Sequence, residues 1–112
     1  MKIYISAPIT GYDHEERQSF FARVSGEIVK KGHEAVNPMA PIVEEGNEER
    51  LLTLTHSEYM RRDIRLLLDC DGILLQGDWR KSQGCKLEET VALGCGLRLF
   101  FQISDLPNYL NR

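Results

Sequence analysis

Two carboxylates fall where a plain surface helix would not place them. From Gly84 to Val91, the 3.6-residue period gives an apolar side of Gly84, Leu87, Val91 and, further on, Cys95. Glu88 lies on the inward flank of that side, and Glu89 is rotated by about 100° toward solvent. Asp63 lies between Met60 and Ile64 and one turn before Leu67, on the flank of a second apolar stripe. Each has a plain alternative. Glu88 could be an exposed residue favoured by the helix N-terminal dipole, and Asp63 an ion-pair partner of Arg61 or Arg62. If both approach one crevice, they suit chemistry at an electron-poor sugar carbon. One would attack or stabilise an oxocarbenium-like centre, and the other would assist proton transfer.

The turn before Glu88 adds to this. Ser82-Gln83-Gly84 offers a hydroxyl and helix-terminal N–H groups that could cradle a phosphate, with Arg80 and Lys81 supplying positive charge. The same residues would also serve as an N-cap beside a solvated basic pair. Trp79 could stack a base or cover a small core, and Tyr4, on the first strand, could pack one face of the core. Asp69 and Asp71 read as cap and turn residues. No G-x-G-x-x-G, G-x-x-x-x-G-K-[ST] or G-x-S-x-G motif occurs, and no metal triad is visible. Neither a cofactor nor a metal is expected.

The elements that must position these residues follow from periodicity. Lys2 to Ser6 reads as a strand, broken by Ala7-Pro8-Ile9-Thr10-Gly11. Phe20, Phe21, Val24 and Ile28 mark a helix that Asp13 caps and Lys30-Lys31-Gly32 closes. His33 to Val36 is a second strand, ended by Asn37-Pro38. From Met39 to about Thr53 the prolines and the acidic run EEGNEER predict a surface loop, either a solvated face or a lid. Thr55 or Ser57 caps a helix bearing Met60, Ile64, Leu67 and Leu68. Asp71 to Gln76 reads as a strand buried on both faces. Gly77 to Gly84 is a polar loop, Gly84 to about Leu93 a third helix, and Leu97 to Gln102 the last strand. Ser104 or Asp105 would cap a short terminal helix with Pro107 in its first turn.

Strands alternate with helices, and no hairpin-length turn joins consecutive strands. The expected fold is therefore α/β: a Rossmann-like or flavodoxin-like three-layer sandwich on a four- to five-stranded parallel sheet. Ligands of such sheets bind beyond the carboxyl ends of the strands, where strand order reverses. That places the site in the loops from Ala7 to Asp13, Asn37 to Pro41 and Gly77 to Gly84.

The chain has 112 residues, which suits one domain spanning 1–112. Fourteen Lys+Arg against seventeen Asp+Glu give a formal charge of −3. That balance argues against a nucleic-acid polymer as partner, though one small phosphate is acceptable. Cys70, Cys85 and Cys95 form no C-x-x-C pair, which fits free thiols in a reducing cytoplasm. No stretch approaches the ~18 apolar residues of a membrane span, and no secretory leader is recognisable.

Taken together, Ile3-Tyr4-Ile5-Ser6-Ala7-Pro8-Ile9-Thr10-Gly11, Gly32-His33-Glu34 to Asn37-Pro38, Arg62-Asp63-Ile64, Asp69-Cys70-Asp71-Gly72 and Ser82-x-Gly84-x-x-x-Glu88 carry a likeness. The chain resembles the nucleoside 2-deoxyribosyltransferase superfamily, in particular its small bacterial and phage members. The Ser-x-Gly-x-x-x-Glu spacing also resembles the branch that hydrolyses 2′-deoxynucleoside 5′-monophosphates. The resemblance implies that Glu88 is the nucleophile, that Asp63 assists at base or sugar, and that Tyr4 helps hold the nucleophile. Ser82 would contact a 5′-phosphate, with Gly84 in the same turn, and Pro8, Ile9, Thr10 and Gly11 would line the sugar and phosphate pocket. Asn37, Pro38 and Trp79 complete the expected substrate-binding set. The resemblance further implies a homodimer or higher homo-oligomer in which a neighbour completes each site. Transferases of the family use an Asn near the C-terminus for this. Ser104, Asn108 and Asn111 are the polar residues available here, while Lys86 and Trp79-Arg80-Lys81 depart from the family pattern. The expected function is action on the N-glycosidic bond of a nucleoside or 2′-deoxynucleoside 5′-monophosphate. The alternative is a catalytically silent module of the same fold that binds a nucleotide or nucleotide-sugar. A third reading is a purely structural oligomer.

Overall fold

The first strand, β1 (Lys2–Ser6), sends alternate side chains to opposite faces of the sheet. Ile3 and Ile5 enter one core with Phe21, Val24, Ile28, Leu74 and Phe100. Tyr4 enters the other with Leu67, Ile73, Leu75, Trp79, Cys85 and Ala92. This computed structural model describes residues 1–39 and 54–109. Beyond Met39, the loop expected to run to Thr53 lies outside the described residues, as do Pro41 and Asn111.

The helix α1 (His14–Lys30) starts at Asp13, whose carboxylate accepts the Glu16 N–H at 3.0 Å. It leads to β2 (Glu34–Val36). The helix α2 (His56–Leu68) opens with a capping box in which Thr55 and Glu58 satisfy each other's backbone N–H groups, both at 3.2 Å. Next come β3 (Gly72–Leu75), a 3₁₀ turn (Trp79–Lys81), α3 (Gln83–Gly94) and β4 (Arg98–Phe100). The sheet is all parallel in the order β2-β1-β3-β4, with Tyr4 opposite Ile73 and Ser6 opposite Leu75. Among the described residues it has four strands, the lower of the two numbers expected. A core on each face, with α1 on one side and α2 and α3 on the other, makes the three-layer sandwich. Gly72 has a steric reason: a Cβ there would come within 2.9 Å of the Phe100 ring and 3.0 Å of the Arg98 carbonyl.

Two expectations need correction. The sheet-facing side of α3 is Cys85, Glu88 and Ala92, whereas Leu87 and Cys95 are exposed. Small residues let the helix approach the sheet closely, so the large leucine is turned outward. No helix begins at Ser104 or Asp105. Ile103–Asp105 is a single 3₁₀ turn, and the following chain is held from outside. Lys31 Nζ donates to the carbonyls of Ile103 (2.6 Å) and Leu106 (3.2 Å), and the Tyr109 N–H donates to Lys31 O at 2.9 Å. No helix among the described residues is long and apolar enough to cross a membrane.

Candidate active site

The strand order reverses between β1 and β3, so the loops beyond their ends diverge and leave a crevice. A cavity of about 1020 Å³ opens there. Ala7, Pro8, Ile9, Thr10 and Tyr12 line it from the loop after β1, and Pro38 and Met39 from the loop after β2. The starts of α1, α2 and α3 supply His14, His56 and Gln83. Further along, α2 contributes Tyr59, Met60, Arg62 and Asp63, and α3 contributes Gly84, Cys85 and Glu88.

Glu88 is only 6% exposed. The Tyr4 hydroxyl donates a short hydrogen bond to its Oε2, and Ser6 Oγ donates to its Oε1 at 2.9 Å. Tyr4 and Ser6 are two residues apart on β1, so they share the face that α3 covers. Burial pushes the Glu88 carboxyl up to about 7; the bonds from Tyr4 and Ser6 oppose that rise, and Asp63 adds to it. Burial likewise raises Asp63 to about 6, with Arg62 pulling the other way. The Tyr4 phenol is held well above its ordinary value by burial and then by the charges of Glu88 and Asp63, so it remains a donor. Two carboxyls that titrate near neutrality and influence each other can divide a nucleophile's role from an acid's.

Ser82 caps α3, its Oγ accepting the Cys85 N–H at 3.2 Å. A Cβ on Gly84 would lie 3.4 Å from the Met60 sulfur, so glycine leaves open the space between α3 and α2. The Cys85 thiol, on the cavity wall, is raised by burial, while its hydrogen bonds with Ser6 and Ser82 act the other way. Among the described residues no group of three or more His, Cys, Asp or Glu could hold a metal ion.

Of the residues singled out in the sequence, Glu88, Asp63, Pro8, Ile9, Thr10, Pro38, Ser82 and Gly84 meet on this cavity. Tyr4 stands behind Glu88 and reaches the cavity through it. Three others lie elsewhere. Trp79 is buried in the second core, its ring 5.8 Å from that of Phe101, and Arg80 covers it at 4.5 Å, so it is the cover of a core and not a base-stacking surface. Asn37 turns inward on its own loop, its Oδ1 accepting the Met39 N–H at 2.8 Å. Gly11 supplies a turn with φ +87°, off the cavity wall.

Sequence reasoning missed Ser6, although its spacing of two from Tyr4 was the available signal. It also missed the placement of Arg62. That side chain donates through Nη1 to the Pro38 carbonyl at 3.0 Å and lies 3.4 Å from Asp63 Oδ1. Arg17 does a parallel job on the other loop, donating to the Pro8 carbonyl at 3.2 Å. It is further held by Glu16 and by the faces of Tyr12 and Phe20. Lys81, read from the sequence as positive charge beside Ser82, also lines the cavity, and His14 and His56 are further wall residues that no sequence pattern marked.

The fold is similar to that of a 2-deoxyribosyltransferase from the psychrotolerant bacterium Bacillus psychrosaccharolyticus. The TM-score is 0.58 at 20% identity, covering 88% of this chain and 69% of that one. At that identity the likeness is one of fold. A search among curated proteins gives no match. Residues 1–101 match the family described as "Domain of unknown function (DUF4406)", and the chain belongs to that family.

Proposed function

We propose that the chain acts on the N-glycosidic bond of a nucleoside or 2′-deoxynucleoside 5′-monophosphate, with Glu88 as the nucleophile. The observation that carries this reading is the buried Glu88 carboxyl, held by Tyr4 on one oxygen and Ser6 on the other, on a cavity that Asp63 also lines. Two hydroxyl donors fix the carboxylate's orientation without neutralising it. In the reactive form Glu88 is ionised and Asp63 protonated, the less populated of the two singly protonated forms of this coupled pair, since Glu88 is raised to about 7 and Asp63 to about 6. Glu88 forms a bond to the anomeric carbon as the electrons of the C–N bond pass to the base, and Asp63 gives its proton to the base nitrogen. Water or a second base then attacks the glycosyl ester. Asp63 recovers a proton from the attacking group, and Glu88 leaves as a carboxylate.

Pro8, Ile9 and Thr10 border the sugar in this reading. Ser82, Gly84 and Lys81, at the start of α3, receive a 5′-phosphate where the substrate has one. The likeness in fold to a deoxyribosyltransferase supports glycosyl transfer as the reaction class. A homo-oligomer belongs to the same proposal, and the outward-turned Leu87 is one apolar residue it would cover.

The test compares wild type with Glu88→Ala over a panel of nucleosides and 2′-deoxynucleoside 5′-monophosphates, with and without an acceptor base, reading free base. The wild type should release base from at least one substrate, and Glu88→Ala should lose about 10⁴-fold or more of that rate. Thermal stabilisation by nucleotides without any base release would replace the enzyme with the silent binding module. Sedimentation of the same samples should give a dimer or larger species, and a monomer at all concentrations would remove the oligomer.

A further inference from the structure

Arg62 stands out as a half-buried cation that the reaction above does not use. Neighbouring residues on a helix point about 100° apart, so Arg62 and Asp63 do not face each other by default. The guanidinium nevertheless turns toward the cavity, where its side chain is 15% exposed and that of Asp63 is 14% exposed. Its Nη1 is shared between the Pro38 carbonyl at 3.0 Å and Asp63 Oδ1 at 3.4 Å. Its Nε is buried with no hydrogen-bond partner among the described residues. Arg61 and Arg65 on the same helix are exposed. The helix therefore offers arginines a solvated position, and this one is half-buried with its buried Nε unspent. Burial of an incompletely satisfied cation is a poor source of stability. Where a sequence departs from such a rule, a functional site is the usual reason.

We propose that Arg62 is a positioning residue, bracing the Asp63 carboxyl in the cavity by spanning it and the Pro38 carbonyl. This rests on the proposed role of Asp63 as the acid. When Asp63 gives up its proton to the departing base it becomes an anion, and Arg62 then attracts it more strongly than it attracted the neutral acid. The contact thus strengthens as the C–N bond breaks, which is the kind of interaction that raises a rate. It also couples the loop after β2 to the acid, because the same Nη1 holds both.

Asp63 is faced by other charged groups as well. Glu88 on α3 and Tyr4 on β1 act on it through space, and Lys81, Asp78, His14 and His56 line the same cavity. The test must therefore read Asp63 itself. Carbon-13 NMR titration of the Asp63 side-chain carboxyl in Arg62→Met and Arg62→Lys does so, alongside base release across pH. In Arg62→Met the Asp63 midpoint should rise by about one pH unit, and Arg62→Lys should return most of it. Base release should fall about 10- to 100-fold in kcat, with KM little changed and the acid limb, set by the lower of the pair, displaced upward. In an Asp63→Asn background Arg62→Met should add no further loss. A lowered Tm with an unmoved Asp63 midpoint would make Arg62 merely structural and overturn the proposal. Should Arg62→Met fail to fold, Arg62→Lys and Arg62→Gln carry the same titration. If the wild type releases no base, the enzyme reading fails, while the titration still decides whether Arg62 acts on Asp63.

Discussion

The two faces of β1 make opposite use of the same strand. Toward α1 it presents Ile3 and Ile5, which pack among the apolar side chains of Phe21, Val24 and Ile28. Toward α3 it presents Tyr4 and Ser6, and both donate to a carboxylate. All four residues are at most 1% exposed, so burial does not distinguish the faces. What differs is the hydrogen-bonding that the buried groups demand. The first face is built for cohesion. The second accepts a raised carboxyl, and the free energy that its desolvation costs, next to a cavity.

The largest expected effect breaks the cohesive face. Phe21→Ala should lower unfolding stability by about 3–5 kcal/mol, measured by urea denaturation, and leave the pH dependence of any base release unchanged. An altered pH profile would mean that the faces are not separable.

The second prediction concerns the polar face. Tyr4→Phe keeps the ring in its core and removes one donor from Glu88. Because that bond opposes the rise of the Glu88 carboxyl, its loss should raise Glu88 further and, Glu88 being the higher of the coupled pair, move the alkaline limb of base release to higher pH. The rate should fall about 10- to 100-fold. The wild-type profile should be bell-shaped around the range from about 6 to about 7, set by the coupled pair Asp63 and Glu88. An alkaline limb unmoved by Tyr4→Phe would sink the assigned role of this hydroxyl.

The third and smallest effect sharpens the comparison through pH. Glu88 is raised from its ordinary 4.5 to about 7, and Asp63 from 3.8 to about 6. Between those limits the folded chain holds protons that the unfolded chain releases. Stability from these groups is therefore full below about pH 4 and is lost as pH rises through 6 and 7. Wild-type Tm should be lower at pH 8 than at pH 5. Glu88→Gln should recover on the order of 1–2 kcal/mol at pH 8 and little at pH 5, read by denaturation at the two pH values. A wild-type Tm that climbs steadily from pH 5 to 8 would contradict it.

Much of this architecture was legible from the chain. The alternation of strand and helix, the caps at Asp13, Thr55 and Ser82, and the inward direction of Glu88 and Asp63 are local properties that periodicity and capping chemistry expose. The rotation of α3 was not, because Leu87 and Val91 outweigh Cys85 and Ala92 on hydrophobicity although the smaller residues pack closer. Ser104 looked like a cap, but the contacts that shape the tail come from Lys31, far away in sequence. Trp79 admitted two readings that only tertiary packing could separate. The bond from Arg62 to Pro38 joins residues 24 positions apart, and no spacing rule reports it.

The three cysteines fall into unequal environments, and that has a practical use. Cys70 and Cys85 are buried, and burial pushes the first thiol to about 11 and raises the second. Cys95, at the far end of α3, is exposed. A maleimide dye would therefore find a ready-made attachment point there, with no engineered cysteine. At 1.5 Å per residue it would sit about 18 Å along the helix from Gln83 on the cavity wall. That is far enough to leave the cavity open and close enough to report when a ligand stiffens the helix that carries Glu88.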